Sequence, residues 1–424
     1  MKILLSAASC SPYRGSEPAI GWKVAKALTS KDHEVHVLTF RYHEADLERA
    51  EVEGLIPPNL TIHFVGSAHG AFKHPLLDKL QHWRTYFDYV RHVRKAALEL
   101  MEHQKFDVIH HVTFATWRTC VPLHSLGVPY VWGPVGGSER FPLALLNVLS
   151  PSAGLFELVR IASGFASRYS DALRKMIRSA DAVIASHRET YELLEVLRGN
   201  DKGLWELSVT AFTELESQRF SVEGKSWWKG DRPLRAFCGG MMEGRKGVAL
   251  ALHAIAQAKS AGIEIEYTIA AHGPEVRHLE RLCQELGLGN QVRFIPQMKG
   301  DEYSATLRQS DIYLLPSLRD NAPITLMEAM LCGCVPVIAD CGGPRSIVAN
   351  GCGFKTGVSS RNEAISGIRD AFVSIYDQPE VMKQMGLASR ERILHRYSMS
   401  HYMETLAKIY SQAREHYTNT GGGR

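Results

Sequence analysis

The chain has 424 residues, more than a single hydrophobic core usually covers, so two domains are expected. Its net charge of +4 is small for that length and argues against a nucleic-acid partner. The composition is that of an ordinary globular protein, and no apolar run approaches the ~20 residues of a membrane-spanning helix.

The N-terminus, MKILLSAASC, is too short for a signal peptide, and its apolar part reads as a first buried strand. The loop 11–18 follows, then a helical pattern over 19–28 and a second strand over 35–40. This alternation predicts a parallel sheet with helices on both faces, where ligands bind at the carboxyl ends of the strands. Gly15 lies in the first such loop and would let backbone approach a phosphate or sugar closely, although taken alone a simple turn explains it better. G-x-G-x-x-G is absent, so it is not a dinucleotide fingerprint. A later strand, 106–111, ends in His110 and His111, placed where chemistry is usually found; structural histidines are the alternative. The strand at 130–135 runs into a glycine-rich loop, either an acceptor-side element or a flexible turn.

Residues 151–180 are apolar and basic. They read as a helix on an anionic membrane or facing a lipid-linked acceptor, or as an ordinary domain helix with a solvated basic face. The pattern weakens from 209 to about 229, where the domain junction is placed.

The alternation restarts with a strand at 234–238 and a turn carrying Gly240, Arg245 and Lys246. A lysine beside glycines at a strand-to-helix turn suits phosphate binding, though the spacing is not that of a Walker loop. The apolar run 312–316 then feeds a loop holding Asp320. Pro323 opens a short helix, Gly333 ends it, and 335–339 is the next strand. The amides of Ile324 and Thr325 at the helix start form an anion site, with Asp320 before it and Glu328 one turn inside. The alternative is that Asp320 caps the helix and Glu328 is a surface charge. The eight cysteines lack the spacing of a zinc ribbon or finger. Reduced thiols used for packing, in a cytoplasmic chain, are the reading preferred to a zinc site.

Asp320, seven residues, then Glu328, followed by Ala329–Met330, Gly333, Pro336–Val337–Ile338 and Gly342–Gly343, resembles the E-x7-E block of the family 4 retaining glycosyltransferases. The first carboxylate is Asp here, not Glu. Gly240 and Lys246–Gly247 match the family's G-R-L-x-x-x-K-G, with Met241 at the arginine position and Arg245 a candidate to compensate. Asp107 to His110 resembles D-V-I-H-x-H, with Val112 at the second histidine. The Gly15 loop is similar to the family's N-terminal glycine loop.

The resemblance implies the GT-B architecture: two facing Rossmann-like α/β domains with a cleft between them. The acceptor-binding domain would span 1–208 and the nucleotide-sugar domain 209–399, with a last helix near 400–415 crossing back to the first. It implies transfer of a sugar from a nucleotide diphosphate sugar (UDP-sugar favoured, GDP-sugar the second choice) to a carbohydrate or lipid-linked acceptor, without cofactor or metal. Glu328 would bind the ribose and Asp320 the sugar hydroxyls. Lys246, with Arg245 a candidate helper, would hold the diphosphate together with the amides that follow Pro323. Met298 would line the base pocket, and His110 or His111 would line the sugar's reacting face. A nucleotide-sugar epimerase and a catalytically silent paralogue are the rival readings. The expected location is the cytoplasm, with contact to the inner membrane face through 151–180 as the alternative to an ordinary solvated helix there.

Overall fold

The computed structural model describes residues 1–66, 75–298 and 300–421. Among these the chain forms two units. The first comprises 1–138, 164–209 and the stretch from Tyr402 on; the second comprises 139–163 and 210–401.

In the first unit, seven strands are described: β1 (Lys2–Ala7), β2 (Glu34–Phe40), β3 (Leu60–Val65), β4 (Val108–Thr113), β5 (Tyr130–Val135), β6 (Ala182–Ala185) and β7 (Leu204–Glu206). They pair in parallel in the order β3-β2-β1-β4-β5-β6-β7. The near-continuous apolar runs of β1 and β5 follow from burial on both faces, as helices cover the sheet on each side, and β4 is equally buried although it carries His110, His111 and Thr113. The order reverses between β1 and β4. Loops leaving the carboxyl ends of these two strands run in opposite directions and leave a crevice there.

The second unit repeats the plan with β8 (Leu234–Met241), β9 (Ile265–His272), β10 (Val292–Ile295), β11 (Ile312–Leu314), β12 (Val335–Ala339) and β13 (Phe354–Thr356), parallel in the order β10-β9-β8-β11-β12-β13. Its reversal falls between β8 and β11, the two strands that feed the Lys246 turn and the Asp320 loop. The short helix Glu214–Arg219 near its start is set by a capping box, in which Thr213 Oγ1 accepts from Glu216 N and the Glu216 carboxylate accepts from Thr213 N. The segments at Phe212 and Ser398 run side by side, Phe212 N donating to Tyr397 O and Met399 N to Phe212 O, each at 2.8 Å.

The expected first domain, 1–208, differs from this division in one segment. Residues 139–163 go with the second unit because Phe141 and Leu145 are buried in its core and Glu157 is bonded to Arg319. The last helix, Met399–Asn419, carries Tyr410 into the interior of the first unit. The cysteines are free thiols, most of them buried, and serve packing: Cys334 Sγ donates to Leu307 O at 3.1 Å, and Cys238 Sγ lies 3.0 Å from Tyr267 Oη, whose proton goes to Leu314 O. No helix among the described residues is long and apolar enough to cross a membrane.

Candidate active site

In the second unit, β8 ends at Met241 and the chain makes a tight turn through Gly244–Lys246 before the helix Val248–Ser260. Gly247 closes that turn with φ 68°, and a Cβ there would lie 2.2 Å from Pro316 O. Only glycine allows both the left-handed backbone and the contact, which presses the turn against the end of β11. Leu318 N donates to Arg245 O at 2.8 Å, so the two loops are hydrogen-bonded directly. The consequence is electrostatic. Lys246 Nζ lies 2.5 Å from Asp320 Oδ2, and both side chains are largely buried. Arg245 donates from Nε to Glu243 Oε2 at 2.7 Å and from Nη1 to Arg319 O at 2.8 Å, and Nη1 lies 3.8 Å from Asp320 Oδ1.

The Asp320 loop is held from the other side as well. Gly343 N donates to Asp320 O at 2.9 Å, and a Cβ on Gly343 would lie 1.4 Å from Asn321 O. Arg319 donates to Glu157 Oε1 from Nε at 2.9 Å and from Nη2 at 2.8 Å. Asp320 does not cap the helix. Pro323 is the N-cap residue of Ile324–Leu331 and supplies no side-chain bond, while the Asp320 carboxylate is taken by Lys246 and, at 3.3 Å, by Ser317 Oγ.

Hydrogen bonding of the helix Ile324–Leu331 begins with Leu326 N, which donates to Pro323 O at 3.2 Å. The amides of Ile324 and Thr325 stand ahead of that first bond, as an anion site requires. Thr325 Oγ1 is 2.6 Å from Tyr313 Oη, and Glu328 Oε2 accepts from Tyr303 Oη at 2.9 Å. Glu328 is therefore a partly buried, oriented carboxylate rather than a loose surface charge. Met298 is half-buried against the core, 3.7 Å from Thr306 Oγ1 through its sulfur. Gly240 has φ 124° with open space around it, and Met241 is exposed.

In the first unit the two histidines are interior groups. His110 Nε2 donates to Gly133 O at 2.6 Å, and its Nδ1 lies 2.8 Å from Tyr410 Oη. This fixes the neutral tautomer with Tyr410 as donor and leaves His110 no nitrogen for a sugar. Burial pushes His110 down to about 4. His111 Nδ1 lies 2.8 Å from Ser6 Oγ, which is 2.7 Å from Tyr89 Oη, and that hydroxyl donates to Leu38 O at 3.0 Å. With the Tyr89 proton committed to Leu38, the chain runs from His111 N–H through Ser6 to Tyr89. Burial, with the neighbouring His110, pushes His111 down to about 3, and the ring is 1% exposed.

Gly15 is exposed, with nothing within 4 Å of where a Cβ would stand, and the left-handed backbone of this loop falls on its neighbour Ser16, at φ 59°. Arg14 is drawn to Asp46 at 2.5 Å. Sequence reasoning missed Glu17, whose Oε1 accepts from Ala115 N at 2.7 Å and so joins the Gly15 loop to the segment after β4. Desolvation pushes Glu17 up to about 7. An acidic residue in a first helical turn is too common to stand out. It also missed Glu157 and Arg319; a lone carboxylate in the apolar run Gly154–Leu155–Phe156–Glu157–Leu158–Val159 was the one signal present.

Two doubly wound parallel units, one with a basic turn locked to a carboxylate loop and a helix start at its switch point, give the chain the GT-B architecture. Two family models match: "Glycosyl transferase 4-like domain" over residues 15–204 and "Glycosyl transferases group 1" over 225–392. The chain belongs to the family 4 glycosyltransferases. It is 26% identical over 295 residues to a GDP-mannose-dependent alpha-(1-6)-phosphatidylinositol monomannoside mannosyltransferase of Mycolicibacterium smegmatis, a match covering 65% of this chain and 75% of that protein. It is 23% identical over 250 residues to a glycogen synthase of Mycobacterium tuberculosis, covering 58% of this chain and 59% of that protein, less than two thirds of its length. Among solved structures, the sucrose-phosphate synthase of Thermosynechococcus elongatus superposes with a TM-score of 0.62 at 16% identity, covering 97% of this chain and 98% of that one.

Proposed function

We propose that this glycosyltransferase moves a sugar from a nucleoside diphosphate sugar to a hydroxyl of a carbohydrate or lipid-linked acceptor, with retention at the anomeric carbon and without a metal ion. The observation that carries this reading is the Lys246–Asp320 pair, placed on two interlocked loops beside the amides of Ile324 and Thr325. The bond from the anomeric carbon to the diphosphate oxygen breaks with its electron pair passing to that oxygen. The acceptor oxygen forms the new bond, and its proton passes to the leaving phosphate. Negative charge grows on the diphosphate, and Lys246, Arg245 and the helix-start amides are the groups able to meet it. Lys246 would then exchange its carboxylate partner for phosphate, which leaves Asp320 to accept from the sugar hydroxyls. Glu328, one turn further into the helix, would take the ribose hydroxyls, and Met298 would line the base pocket. The first unit would present the acceptor through its Gly15 and glycine-rich loops. We place this chemistry in the cytoplasm, at the inner membrane face.

The test is donor turnover. Purified protein is incubated with UDP- and GDP-sugars, with and without a panel of glycan and glycolipid acceptors, and the product is read by NMR. Transfer with the donor's anomeric configuration kept is the expected result. Sugar isomerisation without acceptor would replace the reading with an epimerase, nucleotide-sugar binding without turnover would make the chain a silent paralogue, and an inverted centre would remove the mechanism.

A further inference from the structure

The helix Pro151–Ser167 is built inside out. It contains only two charged residues, Glu157 and Arg160, and both point inward. Glu157 is 2% exposed; its carboxylate accepts from Arg160 Nε at 3.0 Å and from Arg319, and Arg160 also donates to Glu139 O. Leu155, Phe156, Leu158, Val159 and Phe165, each at least 46% exposed, lie on the opposite face. At 100° per residue these positions span about half of the helix circumference, and Ala162, Ser163 and Ala166 fill the gaps between them. A helix on a water-facing surface would place its charges outside and these side chains inside. Here the outward face carries no ionised group.

The chain that follows adds cations. Arg168, Arg174, Lys175 and Arg178 stand against one carboxylate, Asp171. On the helix Asp171–Ser179, Leu173, Met176 and Ile177 are buried, which turns Lys175 and Arg178 to the outside. Between the two helices, exposed Tyr169 has the Arg174 guanidinium 5.4 Å from its ring centroid, an aromatic and a cation together at a helix junction.

We propose that the helix Pro151–Ser167 is the surface on which this protein rests on an anionic lipid bilayer. Leu155, Phe156, Leu158, Val159 and Phe165 would enter the acyl boundary, and the exposed Lys175 and Arg178 would meet the headgroups. An apolar, charge-free face continued by a basic segment is complementary to a bilayer, which is apolar inside and anionic at its surface. At 17 residues with two charges the helix lies on the membrane and does not cross it. A second copy of the chain is the poorer occupant, because a symmetric contact through this helix would also bring two basic segments toward each other. The proposal rests on the membrane-face part of the functional reading and not on its chemistry. Its test reads lipid binding without turnover, so either can fail while the other stands.

The full chain is floated with vesicles of phosphatidylcholine alone or with about a third phosphatidylglycerol. Binding to the anionic vesicles, at least tenfold above binding to the neutral ones and weakened by salt, is expected. Leu155→Ser, Phe156→Ser and Val159→Ser together should reduce it at least tenfold. Lys175→Glu with Arg178→Glu should reduce it and flatten its salt dependence. These positions are exposed, so far-UV circular dichroism and Tm should not fall. Wild-type protein that ignores anionic vesicles, or a triple variant that binds like wild type, overturns the proposal. Equal binding to neutral vesicles overturns its electrostatic half. Self-association in light scattering that the triple variant abolishes, without vesicle binding, overturns it in favour of a second copy.

Discussion

Lys246 and Asp320 stand 74 positions apart in the chain and 2.5 Å apart in space. The cation expected to hold a diphosphate and the carboxylate expected to hold a sugar are each other's partners. Lys246→Ala should weaken binding of the donor about ten- to a hundredfold, the worth of one charge-assisted hydrogen bond of about 1.5–3 kcal/mol. Asp320→Ala should do the reverse to the bare nucleoside diphosphate, which then meets an unpaired Lys246 and binds as tightly or more tightly, while kcat falls. Calorimetry with UDP and GDP alongside steady-state kinetics measures both. Wild-type kcat in Asp320→Ala would show that the pair is structural only.

Glu157 acts on the same loop at one remove. It is buried between Arg160 and Arg319, and Arg319 precedes Asp320 directly. Removing one member of a buried ion cluster leaves uncompensated charge and costs about 3–5 kcal/mol. Glu157→Gln should therefore lower Tm, and kcat should fall by more than donor affinity because the Asp320 carboxylate loses its fixed position. Arg319→Ala should act in the same direction, and the double variant should lose less than the two singles added together. Unchanged kcat in a folded Glu157→Gln variant would limit this residue to stability.

Glu328 should behave differently from Asp320. Held by Tyr303 Oη at 2.9 Å, it would, on the proposed reading, offer the same contact to a ribose in ground and transition states. Glu328→Gln is expected to raise donor KM and weaken the bare nucleotide with kcat little changed. Tyr303→Phe should loosen the carboxylate, costing about 1 kcal/mol of stability and a smaller rise in KM. A kcat collapse in Glu328→Gln with normal KM would contradict the ribose assignment.

His110 and His111 make the fold acid-sensitive. Burial holds them at about 4 and about 3, below the 6.5 of a free imidazole, so the unfolded chain binds more protons than the folded one as pH falls from 6.5. Their contribution is fully present above pH 6.5 and is lost as pH falls toward 3. Glu17 works in the opposite sense. Raised from 4.5 to about 7, it favours the folded state below pH 4.5, and that contribution is lost as pH rises through 7. Between pH 6.5 and 4.5 the unfolded histidines take up two protons while the folded Glu17 keeps one that the unfolded chain releases, so the net difference of one proton should lower stability by about 1.4 kcal/mol per pH unit as pH falls. Urea unfolding between pH 4 and 7 measures the slope, which His110→Asn should reduce. A stability flat over that range would contradict the assignment.

Activity should persist in EDTA. On the proposed reading the charge on a leaving diphosphate would be met by Lys246, Arg245 and the amides of Ile324 and Thr325. Loss of turnover in EDTA that Mn²⁺ restores would show that these groups are not sufficient.

Much of the fold was legible from local pattern. The apolar runs at 312–316 and 335–339 hold the strands Ile312–Leu314 and Val335–Ala339 because a strand buried on both faces needs no alternation, and Gly333 ends the helix between them in a left-handed turn at φ 71°. Lys246, Asp320, Ile324, Thr325 and Glu328 were legible as a set because strand-to-helix turns at a switch point collect such groups. Tertiary structure decided what those residues do to one another. Nothing local tells that Lys246 is neutralised by Asp320, because the contact depends on Gly247 passing 2.2 Å from Pro316 O, between loops far apart in sequence. The same holds for His110. A histidine at a strand's carboxyl end reads as a ligand until Tyr410, 300 positions later, closes on its ring. In the helix Pro151–Ser167 the spacing of apolar residues fixes which side chains share a face but not which face points inward. That was decided by Arg319, whose guanidinium gives Glu157 a partner good enough to bury, leaving the leucines and Phe156 outside.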